Sequence, residues 1–136
     1  MGNCTVECVK NSYVHRILSA ASHPVIFGFQ HWLVYFDVMC LYHNRVERWI
    51  AEKINHQISD IQGNSQCIRN GNIFISCSRY YKHTEFDKTK DLHYAYNLQD
   101  IFGKILQMEN NGYSIFIDDC KIFKEKLWNN LNEALF

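Results

Sequence analysis

The stretch HWLVYFDVMCLYHNRVERWIAEK, from His31 to Lys53, carries the strongest periodic pattern in the chain. Apolar residues recur at steps of three and four through it and beyond it, at Tyr35, Met39, Tyr42, Val46, Ile50, Ile54, Ile58 and Ile61. This spacing is typical of an α-helix with one apolar side. The pattern therefore predicts one long helix, whose first half is apolar all round and hence buried.

The first half of the stretch also fits a second interpretation. Residues 32–38 are almost continuously apolar, as in a central strand that is buried on both faces. In either structure the carboxylate of Asp37 would be buried and would need a partner. His31, His43 and Arg45 are the candidates close to it in sequence.

The rest of the chain divides into shorter elements. Apolar spacing predicts a helix over Thr5–Ala21, a helix capped by Asn97 and a final helix capped by Asp118 or Asp119. Asn70–Gly71 between two apolar runs predicts a tight hairpin, and residues 113–117 predict a further strand.

These elements predict an α+β fold. In it a small, mostly antiparallel sheet, formed by the hairpin around Asn70–Gly71 and the strand at 113–117, packs against a long central helix and two or three further helices. The length of 136 residues is that of a single compact domain, residues 1–136.

The balance of charges and the first residues of the chain predict which partners the protein binds and in which compartment it acts. Lysine and arginine number 14 and aspartate and glutamate also 14, so no net positive field favours nucleic acid. The first residues lack the pattern of a secretory signal, which predicts a cytoplasmic protein with no membrane span. The six cysteines are then expected to be reduced thiols.

Two groups of cysteines and histidines contain atoms that bind metal or act in catalysis. Cys4, Cys8, His15 and His23 could supply zinc ligands, but the two histidines are too far apart for a usual structural zinc site. Cys40 could use His31 or His43 as a base, but a thiol in the middle of an apolar helix is expected to be inert. We predict no metal and no cofactor.

A polar segment after the hairpin holds the strongest candidate site. Its predicted partner-binding residues are Arg79, Tyr80, Tyr81, Lys82, Glu85 and Asp87. Tyrosine and arginine are typical anchors of protein interfaces. An alternative uses the same segment for acid–base catalysis, with His83, Glu85, Arg79 and His93 as the catalytic group.

Two functions follow from these observations. The first is a small cytoplasmic protein-binding domain that acts by occupying a partner protein, as an inhibitor or a toxin-immunity protein does; the chain itself would be a monomer or a small homo-oligomer. The alternative is a small metal-independent nuclease or another acid–base enzyme. The absence of nucleotide-binding and hydrolase motifs favours the first.

Overall fold

An antiparallel sheet of six strands forms the centre of the described molecule. The computed structural model of the chain describes residues 6–21, 32–53, 67–77, 86–108 and 120–135. In these ranges a 3-10 helix covers Val6–Asn11, and the strands are β1 Ser12–Ala21, β2 Trp32–Cys40, β3 Arg45–Lys53, β4 Cys67–Asn70, β5 Ile73–Cys77 and β6 Lys88–Asn97. Two helices follow, α1 Leu98–Leu106 and α2 Cys120–Leu135.

The predicted long central helix is wrong. Its residues form the hairpin of β2 and β3, which pair antiparallel from Cys40 opposite Arg45 to Leu33 opposite Glu52. β2 lies in the middle of the sheet, in the order β4-β5-β3-β2-β1-β6, and six consecutive residues from Leu33 to Val38 are buried. A strand that is buried on both faces is apolar at every position and shows no alternation. The alternative of a central strand over residues 32–38 is thus confirmed.

The predicted first helix is also wrong. Residues 6–11 form the 3-10 helix and β1 follows, paired with β2 on one side and with β6 on the other. An irregularity between Val14 and Arg16 shifts the register on both sides. This shift explains the helix-like spacing of β1, because a bulge breaks the alternation that identifies a strand.

The predicted fold class is therefore corrected: the described part is mainly a large sheet with two helices, and the strand predicted at 113–117 lies outside the described residues.

The hairpin of β4 and β5 is confirmed. Its two-residue loop is Gly71–Asn72, one position later than predicted, since Asn70 still pairs with Ile73. Gly71 has φ 62°, the positive value that a type II′ loop requires of its first residue.

Both helices pack on one side of the sheet, which we call the helical face. The Asn97 side chain accepts a hydrogen bond from the Gln99 N–H at 2.9 Å and so caps α1, as predicted. The core of this face is shared by apolar residues of the sheet and of both helices, including Val34, Phe36, Val38, Trp49, Ile75, Ile101, Phe102, Phe123 and Leu127. In its centre Phe102 of α1 meets Trp49 and Phe36, with ring centroids 5.5 and 6.3 Å apart.

The opposite side, which we call the charged face, combines an apolar cluster with a row of ionic side chains. The cluster consists of Leu18, Ala20, Leu33, Tyr35 and Ile50, with Phe86 packed against it.

Among the described helices, none is long and apolar enough to cross a membrane.

Candidate functional site

A cluster of two thiols and an imidazole lies where β2 passes into β3. Cys8 of the 3-10 helix, Cys40 at the end of β2 and His43 in the following turn place their ligand atoms within 4.8 Å of one another. The Nδ1 atom of His43 is 3.5 Å from the Sγ atom of Cys8 and 3.5 Å from the Sγ atom of Cys40. We refer to these three residues as the thiol–imidazole cluster.

The local chain conformation explains why these residues meet. Asn44 has φ 55°, a left-handed conformation that asparagine adopts more easily than most residues and that lets a short turn reverse the chain. The turn brings the backbone N–H of His43 to the Sγ atom of Cys40, at 3.4 Å. Cys40 and His43 are therefore held together by the turn itself.

The 3-10 helix is joined to the same end of the sheet by two hydrogen bonds. The Ser12 hydroxyl donates to the Cys8 carbonyl at 2.8 Å, and the Leu41 N–H donates to the Asn11 carbonyl at 2.9 Å. Cys8 and Cys40 are buried, whereas His43 is half-buried. The cluster thus sits just below the surface, with its imidazole toward the solvent.

Large exposed apolar residues lie beside this cluster. Leu41 and Tyr42 of the turn and Val46 of β3 expose 58, 74 and 56% of their surface, and we call them the turn patch. The ring of Tyr42 contacts the imidazole of His43 edge to face, with centroids 4.9 Å apart. In the described residues the remaining exposed large apolar side chain is Tyr94 of β6, at 76%.

Asp37 has a structural partner in Arg48, not in the residues that sequence proximity suggested. The two residues are opposite each other on β2 and β3, and the guanidinium donates to the carboxylate through Nε at 2.7 Å and Nη2 at 3.2 Å. The same guanidinium lies over the rings of Tyr35 and Phe86, 5.4 and 5.3 Å from their centroids. Both carboxylate oxygens of Asp37 are therefore engaged by Arg48 in a two-bond pair that links β2 to β3.

The register extends this pair into a row of alternating charges on the charged face. Arg16 of β1 is opposite Asp37 on one side and opposite Asp91 of β6 on the other. The Arg16 Nε atom is 3.4 Å from the Asp91 carboxylate. We call Asp91, Arg16, Asp37 and Arg48 the charge row.

Most of the predicted polar site lies outside the described residues. This applies to Arg79, Tyr80, Tyr81, Lys82, His83 and Glu85, whose roles as binding or catalytic residues stay predictions. Asp87 is described: its N–H donates to the Ser19 carbonyl at 2.8 Å and its carboxylate contacts Lys124 at 3.3 Å. Asp87 thus attaches the end of the segment to β1 and α2. His93 is exposed on β6.

The structure does not group Cys8 with His15 as the sequence predicted. His15 is exposed at the irregularity of β1, and Cys4 and His23 lie outside the described residues. Cys8 instead meets Cys40 and His43, which are 32 and 35 positions later in the sequence. The sequence paired Cys40 with His43 as a thiol and its base, and what it missed is that Cys8 joins them, for which no local spacing gives a signal. No protein-family model, no curated protein and no solved structure matches this chain.

Proposed function

We propose that this chain is a protein-binding domain that acts by occupying a partner protein, in the manner of an inhibitor or a toxin-immunity protein. The observation that carries this proposal is the turn patch: three large apolar side chains within six positions are more than half exposed at one end of the sheet. Exposed apolar side chains scattered singly are ordinary, whereas their grouping is typical of interaction sites.

The turn that carries the patch is held in place, which supports a role in binding. Leu41 is tied through its backbone N–H to the 3-10 helix, and the ring of Tyr42 is held against His43. Side chains that are ordered before binding lose less entropy when a partner covers them. Tyrosine in particular combines a large apolar ring with a hydroxyl and is enriched among the residues that dominate interface energies.

The balance of charge supports a protein partner over a nucleic acid. The chain has as many acidic as basic side chains, and the patch itself is uncharged. Binding through it would rest on apolar contact and not on counterion release, so the affinity would depend weakly on salt. The predicted binding residues in segment 79–87 stay a second candidate surface, and of them the structure describes Asp87, which is bonded to Ser19 and Lys124.

The test compares a patch variant with a matched exposed tyrosine. The immobilised full chain should retain one partner from cells that make it naturally, at close to one partner per chain by native mass spectrometry. The variant Leu41→Ala/Tyr42→Ala should weaken that complex at least about tenfold, since interface anchors cost more than about 1.4 kcal/mol each. The control Tyr94→Ala, equally exposed but on β6, should bind like the natural chain.

Two results would contradict the proposal. One is equal affinity of the partner for the patch variant and the control. The other is turnover of a substrate by the purified chain alone, which would favour the acid–base enzyme; that activity should then disappear in His83→Ala and Glu85→Ala variants of unchanged melting temperature.

A further inference from the structure

We propose that the thiol–imidazole cluster of Cys8, Cys40 and His43 is a zinc site. The proposal concerns a metal ion within this chain and does not depend on partner binding. It rests on the distances between the ligand atoms, on the turn that holds them, and on the chemistry of the donor set.

The distances match the edge of a zinc coordination tetrahedron. With bonds of about 2.3 Å to sulfur and about 2.0–2.1 Å to nitrogen, a tetrahedral zinc ion separates a sulfur from a nitrogen ligand by about 3.6 Å. Both Sγ···Nδ1 distances in the cluster are 3.5 Å. The third edge, between the two Sγ atoms, is about 3.8 Å in such a site, and the three ligand atoms here lie within 4.8 Å of one another. An ion would therefore draw the two sulfur atoms together by rotation of the cysteine side chains.

The imidazole nitrogen of His43 lies between the two sulfur atoms. The Nδ1 atom of a neutral imidazole has either one proton or one lone pair in the ring plane, so it forms one good hydrogen bond. Here the same Nδ1 atom is equally far from two sulfur atoms. One good hydrogen bond can serve only one of the two sulfur atoms, whereas a bound cation could be shared by all three ligand atoms.

The surroundings of the cluster fix the ligands in the way metal sites require. The His43 N–H points at the Cys40 sulfur, where it would stabilise a thiolate, and the Ser12 hydroxyl holds the carbonyl of Cys8. Outer contacts of this kind orient metal ligands, and their loss typically lowers metal affinity about 10–100-fold. Two segments of the chain, the 3-10 helix with Cys8 and the β2–β3 turn with Cys40 and His43, thus bring the three ligands together.

The donor set selects the kind of metal. Two thiolates and one imidazole suit zinc, whereas calcium and magnesium prefer oxygen ligands. Two thiolates also neutralise the charge of a divalent ion, which matters because Cys8 and Cys40 are only 4 and 0% exposed. These three residues supply three of the four ligands of a tetrahedral zinc ion, so a water molecule or a further side chain would complete the site.

The experiment uses the full chain, purified with a non-thiol reductant. Metal analysis should find close to one zinc per chain. After chelation, added Co²⁺ should give the sulfur-to-cobalt charge-transfer band and the intense visible bands of tetrahedral thiolate coordination, and Zn²⁺ should remove both. Zn²⁺ should also raise the melting temperature of the metal-free chain.

Variants show whether these three residues hold the ion. Cys8→Ser and Cys40→Ser should lose most of the charge-transfer band, and His43→Gln, which alters only a half-buried turn residue, should weaken Co²⁺ binding at least about tenfold. The control Cys77→Ser removes another buried thiol, on β5, and should leave the spectrum and stoichiometry unchanged.

The proposal is overturned if the natural chain gives no charge-transfer band with Co²⁺, or if His43→Gln and Cys77→Ser bind Co²⁺ equally well. Either result would leave the cluster as a set of buried thiols beside an imidazole. Because His43→Gln keeps both cysteines, the test does not depend on variants that disturb the core.

Discussion

The two faces of the sheet are stabilised in different ways, although the same strands supply both. On the helical face, β2 and β3 present side chains such as Phe36 and Trp49, which are buried against α1 and α2. On the charged face, the same two strands present the pair of Asp37 and Arg48 beside a smaller apolar cluster. The helical face is stabilised by close packing of large apolar side chains. The charged face is stabilised in addition by oppositely charged side chains that the strand register places opposite each other.

The largest expected effect comes from emptying the helical face. Trp49→Ala should lower the free energy of unfolding by about 3–5 kcal/mol, because it removes a fully buried ring that contacts Phe102. Urea denaturation of the purified variant measures this change. Trp49→Phe is the control and should cost clearly less, since the indole N–H has no hydrogen-bond partner in the part of the chain that is described. Equal losses for both variants would contradict this account of the face.

The next effect comes from breaking the inner pair of the charge row. Asp37→Ala should cost about 1–3 kcal/mol, because the Arg48 side chain, 29% exposed, loses both hydrogen bonds and keeps its charge. A double-mutant cycle with Arg48→Met separates the pair energy from the loss of packing on Tyr35. A pair energy near zero would show that the two faces do not differ as proposed.

A smaller effect should follow from removing the cap of α1 at Asn97, the last residue of β6. Asn97→Ala removes the acceptor that caps the helix and should cost about 1 kcal/mol. Asn97→Asp keeps the acceptor but loses the Nδ2 donor to the Lys10 carbonyl, so it should retain more of the stability than Asn97→Ala does. Urea denaturation measures both variants. Equal urea midpoints for Asn97→Ala and the natural chain would show that the packing of α1 on the helical face does not depend on this cap.

The smallest effect is expected at the outer end of the charge row. The Asp91 side chain is 88% exposed, so Asp91→Ala should change the free energy of unfolding by no more than about 0.5 kcal/mol. Any loss should shrink further at high salt, whereas the loss in Asp37→Ala should persist. A cost for Asp91→Ala as large as that for Asp37→Ala would mean that the row acts as one unit.

Local chemistry made parts of the fold predictable. The β4–β5 hairpin and α1 were predicted because Gly71 and the cap Asn97 act within a few residues of their own positions. The β2–β3 hairpin was not, because β2 is buried on both faces and its turn contains neither glycine nor proline. The local sequence feature that allows this hairpin is Asn44, whose left-handed conformation closes the turn.

The candidate site was harder to predict, because its residues meet only through the sheet. Cys8 reaches Cys40 since β1 and β2 are antiparallel and Ser12, at the start of β1, is opposite Cys40. The predicted long helix over residues 31–53 gives no reason for Cys40 to lie near Cys8. The error in fold class and the missed cluster therefore have the same cause.

The strand order has a consequence for the path of folding. β2 and β3 are joined by four residues, whereas β1 must pair with β6 across most of the chain, Ser19 opposite Lys88. Closing so long a loop costs entropy before its contacts form, so we expect the β2–β3 hairpin to form early and β6 to join last. Until then the outer edge of β1 is open, and a second chain in the same state could pair there first.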